Sequence, residues 1–264
     1  MEKLKDMGTL AKDLAELHHA YGIYDGIDNF KELRTKKTNI LNFCKEFEEL
    51  KTFNDFYDTY FEQYDSLTKT SINIGRPNTR QARGIDFPFI GDNVIKIGKA
   101  KFMFVFEGSL SNNNENLSVT VLANFWHIEK EKITDLFNKQ KALNLNFWNE
   151  SNFKKVKDQL NLNSKVIDNS FVVDAIRVAK DDDPSKIDIK KNRTLIWKEI
   201  ELLKPDLVIC IGNYAKMIVG MQYTDLQTKF HHIPFPTYRK SQEKNSGDQI
   251  IYKELSSIYN KILQ

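Results

Sequence analysis

The sequence predicts an α/β fold, a three-layer α/β/α arrangement around a mostly parallel four-stranded central sheet, preceded by an N-terminal helical appendage. Two observations predict it. Four short strand-like runs alternate along the later part of the chain with segments in which apolar residues recur about every 3.6 positions. Three of the four runs are apolar throughout, which is typical of parallel strands that helices cover on both faces.

Residues 1–70 predict the helical appendage. Apolar residues recur at helical spacing in three sets, which span 4–21, 30–47 and 53–64. The third set is rich in aromatic residues, and we expect these to be core residues and not a nucleic-acid platform. In the first set, His18 and His19 are adjacent and point about 100° apart on a helix. They cannot both face one metal, so we expect a core or solvated histidine.

Residues 71–100 are rich in Gly, Pro, Asn and Arg, a composition that predicts a connecting segment. Arg76, Arg80 and Arg83 fall close together in it, and guanidinium groups on such a loop can meet DNA phosphates. A plain solvated loop is the alternative interpretation.

Residues 101–264 predict the α/β domain. Its strands are expected in KFMFVFEG (101–108), SFVVDAIRV (170–178), DLVICI (206–211) and KFHHI (229–233). Helices are expected at about 128–139, 152–160, 191–203, 213–219 and 249–263. Ligands of such sheets bind at the carboxyl ends of the strands, so the loops that leave these strands are the expected site.

The composition limits the class of protein. The hydrophobic fraction of 41% is ordinary, no apolar run approaches the roughly 20 residues of a spanning helix, and the charged start MEKLKDMG lacks a signal-peptide core. We therefore expect a cytoplasmic protein without a membrane partner. The net charge of +3 neither demands nor excludes nucleic acid. No cluster of His, Cys and acidic residues has ligand spacing, and the two cysteines, Cys44 and Cys210, are too few for an iron-sulfur cluster, so we expect neither a metal nor such a cluster. We also expect no other cofactor and a monomer.

Four pieces of the α/β domain resemble the uracil-DNA glycosylase superfamily and occur in its order. They are VFEGSLS (105–111), FVVDAIRV (171–178), LKPDLVICIGNYA (203–215) and IPFPTYR (233–239). Asn124-Phe125-Trp126 is similar to an element of the mismatch-specific branch. The resemblance covers roughly residues 101–264 and implies a monofunctional DNA glycosylase, an enzyme that flips out a base and hydrolyses its N-glycosidic bond.

The chain departs from the superfamily pattern in two loops. FEGSLSNNN lacks the usual proline of the first loop, and Phe235-Pro236-Thr237 stands where His-Pro-Ser is common. The histidines are displaced upstream to His231 and His232, and the sequence leaves open which of them acts.

Site residues follow from the resemblance and from what base excision needs. The reaction requires a group that positions water and supports a cationic sugar, and a donor to the departing base. The catalytic candidates are Glu107 and Asn112 for the first task and His232 for the second. Candidate base-binding residues are Asp174, Phe125, Trp126 and Phe235; candidate DNA contacts are Arg76, Arg80, Arg83, Asn213, Thr237, Tyr238, Arg239 and Lys240. For each aromatic residue, core packing is the alternative.

Asp174 is the position that bears on substrate. The resemblance implies that uracil-specific members of the superfamily have an asparagine at this place, whose amide both donates and accepts hydrogen bonds. An ionised aspartate only accepts them. It would suit the exocyclic amine of cytosine and repel O4 of uracil. Because unmodified cytosine is everywhere in DNA, the expected substrate is a modified cytosine, such as the hydroxymethylated or glucosylated base of phage DNA. A turn cap or an ion pair with Arg177 is the alternative role of Asp174.

Three other functions remain open from the sequence. The protein could excise uracil or a mismatched base despite Asp174. It could be a catalytically inactive DNA- or protein-binding module on the same fold. It could also be an unrelated nucleotide-binding enzyme, although Gly108 stands without a dinucleotide or P-loop pattern.

Overall fold

The computed structural model describes residues 7–22, 53–70, 84–85, 88–108, 123–142, 150–179, 186–220, 228–235 and 246–264. The strands are β1 (Gly84–Ile85), β2 (Phe89–Ile90), β3 (Phe102–Phe106), β4 (Ser170–Asp174), β5 (Val178–Ala179), β6 (Leu207–Ile211) and β7 (Lys229–Ile233). The helices are α1 (Met7–Ala20), α2 (Phe53–Thr70), α3 (Asp92–Ile97), α4 (Ile133–Ala142), α5 (Glu150–Gln159), α6 (Ser164–Asp168), α7 (Lys186–Leu203), α8 (Asn213–Val219) and α9 (Ser246–Leu263).

The central sheet has the strand order β2-β4-β3-β6-β7. The four predicted strands are present, and neighbouring members of β4, β3, β6 and β7 pair in parallel. The α/β class is thereby confirmed, but the predicted number of strands is wrong. A fifth strand, β2, pairs antiparallel with β4 at the edge of the sheet. It has two residues, too few to produce a periodic signal in the sequence.

The two faces of the sheet carry two separate hydrophobic clusters, because successive strand residues point to opposite faces. Cluster 1 joins Met103 and Val105 to buried residues of α1, α2, α7 and α8. Cluster 2 joins Phe104 and Phe106 to α4, α5, α6, α9 and the 3-10 turn Ala123–Phe125. Helices therefore cover the sheet on both sides. Among the described residues, no helix combines the length and the hydropathy of a membrane-spanning segment.

The N-terminal helices α1 and α2 contribute to the same cluster as the sheet. Leu14 of α1 and Tyr60 of α2 are buried in cluster 1, and the Tyr57 hydroxyl donates a hydrogen bond to the carbonyl of Pro88. His18 is a core histidine, which is one of the two alternatives that the sequence left. The helix predicted within 30–47 lies outside the described residues, and the division into segments at residues 70 and 100 stays a prediction.

Candidate functional site

The carboxyl ends of β3 and β4 bring two predicted site residues to the same edge of the sheet. Phe106, the last residue of β3, pairs with Asp174 in the parallel register, and Glu107 directly follows β3. The backbone N–H of Ala175 donates to the carbonyl of Phe106 at 2.6 Å, so the register continues past the last paired residue. Only 6% of Glu107 and 1% of Asp174 are exposed, so two buried carboxylic acids lie at adjacent strand ends.

Glu107 caps the helix that follows β6. Its Oε1 accepts hydrogen bonds from the backbone N–H groups of Asn213 and Tyr214, the latter at 3.3 Å. These N–H groups belong to the first turn of α8 and have no partner within the helix. A carboxylate is favoured at this position because the N-terminal end of a helix carries partial positive charge. The contact fixes the position of the Glu107 carboxylate relative to β6 and α8.

Gly212, which precedes α8, makes that contact possible. Its φ is +92°, and a Cβ built on it would lie 2.2 Å from the side chain of Glu107. Any other residue would displace the carboxylate, since real Cβ atoms do not come this close to another heavy atom. The N–H of Gly212 also donates to the carbonyl of Ile233 at 2.9 Å. The exits of β3, β6 and β7 are therefore packed directly against one another.

Gly108 fits the exit of β3 against the exit of β4 in the same way. Its φ is +134°, and a Cβ on it would lie 2.9 Å from Cβ of Ile176. Ile176 is the second residue after Asp174. The loops that carry Glu107 and Asp174 thus hold each other in place through a contact that a larger residue would break.

His232 lies on the Glu107 side of the sheet. It pairs with Cys210, a member of cluster 1, and its Nε2 is 3.2 Å from the carbonyl oxygen of Gly212. Since that oxygen can only accept, Nε2 carries the hydrogen in this contact. His231 pairs with Ile209 of cluster 2 and by strand alternation projects to the opposite face. Of the two histidines, His232 is the one on the same face as Glu107.

The predicted aromatic residues gather on the other face, around Phe106. The ring of Phe106 is 6.2 Å from the ring of Trp126 and 6.2 Å from the ring of Phe235. Because Phe106 and Asp174 are paired in register, Asp174 projects to this same face. Phe125 and Trp126 are buried, which agrees with core packing, the alternative to base binding that the sequence left open for them. Phe235 is half-buried.

The remaining predicted site residues divide into one that is described and eight that are not. Asn213 is exposed, and its backbone N–H is one of the two that donate to Glu107. The others lie outside the described residues and stay predictions: Arg76, Arg80, Arg83, Asn112, Thr237, Tyr238, Arg239 and Lys240.

A buried polar chain behind Asp174 was not predicted from the sequence. Arg177, three residues after Asp174, forms an ion pair with Glu199 of α7. Glu199 Oε1 is also 2.8 Å from Nε2 of His18, whose Nδ1 is 2.6 Å from the Tyr60 hydroxyl. The signal that could have found it is Glu199 itself, an acidic residue within the apolar stripe of α7 that contains Ile196, Ile200 and Leu203.

The protonation states of Glu199 and His18 in this hydrogen-bonded chain follow from burial and from their neighbours. Burial raises the pKa of Glu199, but the Arg177 charge and the hydrogen bond with His18 outweigh burial and hold it below its usual value. Burial lowers the pKa of His18, so its imidazole is neutral near pH 7. The ionised Glu199 only accepts, hence His18 donates from Nε2 and accepts the Tyr60 hydroxyl proton at Nδ1.

Comparison of the chain with protein-family models and with curated proteins gives no significant match. Within the ranges that the structure describes, no three His, Cys, Asp or Glu side chains are grouped so that they could hold a metal ion. The assignment of function therefore depends on the residues themselves and on the geometry of the sheet edge.

Proposed function

We propose that the protein is a monofunctional DNA glycosylase that excises a modified cytosine. The observation that carries the proposal is the placement of Glu107 and Asp174, two buried carboxylic acids, at the adjacent carboxyl ends of β3 and β4. This edge is where α/β sheets bind ligands. The four sequence pieces that resemble the uracil-DNA glycosylase superfamily supply β3, β4, β6 and the exit of β7, which all meet at this edge.

Glu107 has the role of positioning the attacking water. Hydrolysis joins the water oxygen to C1′ of the sugar and breaks the bond from C1′ to the base nitrogen, whose electron pair leaves with the base. The negative charge of the carboxylate supports the cationic sugar in the transition state, and the carboxylate then takes the proton that the water releases as its bond to C1′ is completed. The two N–H groups of α8 that hold Glu107 keep it from reorienting during this step.

His232 has the role of the donor to the departing base. Its Nε2 hydrogen is directed at the Gly212 carbonyl, adjacent to the Asn213 N–H that Glu107 accepts. The two groups thus approach the same short stretch of backbone. For His232 to stabilise charge on the base, its half-buried imidazole has to exchange the Gly212 carbonyl for an oxygen of the base.

Asp174 has the role of selecting the base. As a carboxylate it accepts the exocyclic amine of cytosine and leaves O4 of uracil facing an acceptor. A site built around one buried polar group rejects a mismatched base strongly, because the rejected pairing leaves that group without its hydrogen bond. Asp174 is 1% exposed, so the residues around it shield its carboxylate from bulk water.

DNA is the proposed partner, and a monomer is the proposed active form. The target base has to leave the duplex to reach an edge lined by buried groups, which costs a few kcal/mol in unstacking. Phe235 is the one proposed base contact that is both next to Phe106 and partly exposed, so we assign it the stacking role. The arginines of 76–83 and residues 237–240 are the proposed phosphate contacts.

A second candidate, a catalytically inactive DNA-binding module, is favoured by one specific observation. Both proposed catalytic side chains have structural tasks, since Glu107 caps α8 and His232 bonds to the Gly212 carbonyl. Residues kept for such contacts would be present without any turnover. An assay of base release separates the two candidates directly.

The experiment is a substrate panel. The full-length protein is incubated with duplexes that contain a single uracil, a mismatched thymine, a cytosine, a hydroxymethylcytosine or a glucosylated hydroxymethylcytosine, and abasic sites are then cleaved with alkali. Strand breaks at a modified cytosine support the proposal. Breaks only at uracil or at the mismatch overturn the assignment of Asp174, and no break in any duplex supports the inactive module.

A further inference from the structure

The segment that follows Asp174 is held by β3 and its exit on one side and by α7 on the other. Ala175 donates its N–H to Phe106 of β3, and Ile176 packs on Gly108. Arg177 donates its backbone N–H to Oδ1 of Asn192 in α7 at 3.2 Å, and its guanidinium pairs with Glu199 of the same helix. The position of Asp174 is therefore set on one side by β3 and on the other by α7.

The α7 contact is itself held by the N-terminal helices. Glu199 uses one carboxylate oxygen for Arg177 and the other for His18 of α1, which in turn meets Tyr60 of α2. All four side chains are almost fully buried, and His18 also makes an edge-to-face ring contact with Tyr60. In a water-free environment such charge-assisted bonds are directional and resist displacement. The chain runs without a break from α2 to the backbone three residues after Asp174.

We infer that the chain Tyr60–His18–Glu199–Arg177 positions Asp174 for base recognition, and that α1 and α2 are part of the active unit. Arg177, Glu199, His18 and Tyr60 are positioning residues, since none of them is placed against the base. The inference rests on the proposed function for its catalytic consequence, but the mechanical coupling stands on the contacts alone. If the coupling exists, loss of the Glu199 charge loosens the segment 174–178 without disturbing β6.

The test compares Glu199→Gln with Glu201→Gln in the full-length protein. Glu201 lies two residues away on α7 and makes an exposed ion pair with Lys198, so it is a matched control for the loss of one negative charge. Hydrogen exchange is followed by mass spectrometry in peptides that cover residues 170–179 and, for comparison, 206–212. We expect exchange of the Arg177 amide to rise about tenfold or more in Glu199→Gln only. Equal exchange in the two variants would overturn the inference.

The rate of base excision gives the second readout. A displaced Asp174 lowers the single-turnover rate constant, by about tenfold or more, while DNA affinity stays within twofold, because Glu199 is not one of the proposed phosphate contacts. If the wild-type protein releases no base, the proposed function fails and hydrogen exchange still decides the coupling. If wild type releases base and Glu199→Gln keeps both its rate and its exchange, the coupling alone is overturned.

An apolar variant separates positioning from mere stability. Replacing a buried charged cluster by apolar residues of similar volume often preserves or raises stability. The triple variant His18→Leu/Arg177→Met/Glu199→Leu is therefore expected to recover the Tm lost in Glu199→Gln, yet to retain fast exchange at residue 177 and slow base release. Recovery of Tm, exchange and rate together would show that the chain only stabilises the core and would overturn the inference. Should the triple variant not fold, Glu199→Gln and its control still decide the question.

Discussion

Glu107 and Gly212 approach each other so closely that no methyl group fits between them. A Cβ on Gly212 would lie 2.2 Å from Cγ and Cδ of Glu107, which are held there by the N–H groups of α8. Four strand exits meet around this contact, since Gly212 also binds Ile233 and Gly108 meets Ile176. The strand exits can therefore pack this closely because Gly212 and Gly108 have no Cβ atom.

Gly212→Ala tests this contact, with Gly220→Ala as the matched control. Both glycines have positive φ, of 92° and 60°, and flank the same helix, but nothing lies within 4 Å of a Cβ on Gly220. Gly220→Ala is expected to cost about 1–3 kcal/mol of unfolding free energy from backbone strain alone. Gly212→Ala should cost about 1–3 kcal/mol more through overpacking against Glu107. Urea denaturation measures both, and equal losses would refute the close contact.

Glu107→Gln and Glu107→Ala separate the structural task of the carboxylate from its proposed chemical one. Gln keeps an acceptor for Asn213 and Tyr214, so we expect a loss of only about 1 kcal/mol in unfolding free energy. Ala leaves the first turn of α8 without a cap and should cost about 2 kcal/mol. Base release should nevertheless fall by about 100-fold or more in Glu107→Gln. A Gln variant that keeps its activity would remove Glu107 from the mechanism.

The fold was predictable from the sequence where the signal is local. β3, β4 and β6 appear where apolar runs of strand length predict them, β7 lies at the predicted run KFHHI, and α8 has the predicted bounds. The two-residue β2 was missed because Phe89-Ile90 is shorter than any period. The helix predicted to start at Ile128 begins as α4 at Ile133, because a 3-10 turn, Lys130–Lys132, comes first.

The candidate site was predictable only in part. Glu107 and Asp174 could be placed at one edge, because parallel strands end together. The contact of Glu107 with Gly212 joins residues more than a hundred positions apart, and no spacing rule reports such a contact. Aromatic residues such as Phe125 and Trp126 have the same pattern in a core as at a binding surface, so the sequence could not decide that both are buried.

The pH dependence of stability should report on His18. Burial lowers its pKa below the value of 6.5 that it has when the chain is unfolded. As the pH falls below about 6.5, the unfolded chain gains a proton that the folded protein resists, so stability falls towards acid. The lowered pKa of Glu199 acts in the same direction at still lower pH, below its unfolded value of 4.5.

The size of this effect is set by one proton. Between pH 6.5 and 5.5 His18 should contribute up to about 1.4 kcal/mol of lost stability per pH unit. The variant His18→Gln, which has no proton to gain, should show a flatter dependence in this window, although its stability at pH 7.5 is lower. Urea denaturation at half-unit pH steps measures the slope, and identical slopes for the two proteins would contradict a neutral buried His18.

The thiol of Cys210 should be unreactive in the folded protein. It is buried on β6 between Val105 and His232, and burial raises the pKa of its thiol to about 12. Because the thiolate is the reactive form, a thiol reagent should modify it only when the sheet opens. In a Cys44→Ser background, the remaining thiol should react with a disulfide reagent at least about 100-fold faster in denaturant than in buffer. Comparable rates in the two conditions would place Cys210 at an accessible surface.

Direct detection of the released base tests the central claim, which is that Asp174 at the end of β4 selects a cytosine-type base for excision. The full-length protein is held in excess over a duplex with one glucosylated hydroxymethylcytosine, and the free base is identified by mass spectrometry beside an equal uracil duplex. Asp206→Asn is the matched control, since Asp206 directly precedes β6, at the opposite edge of the sheet from Asp174, and is partly exposed. We predict that wild type and Asp206→Asn release the modified cytosine and spare uracil, and that Asp174→Asn loses about 100-fold or more on the cytosine. Release of uracil alone, or an Asp174→Asn variant as active as wild type on the modified cytosine, would contradict the account.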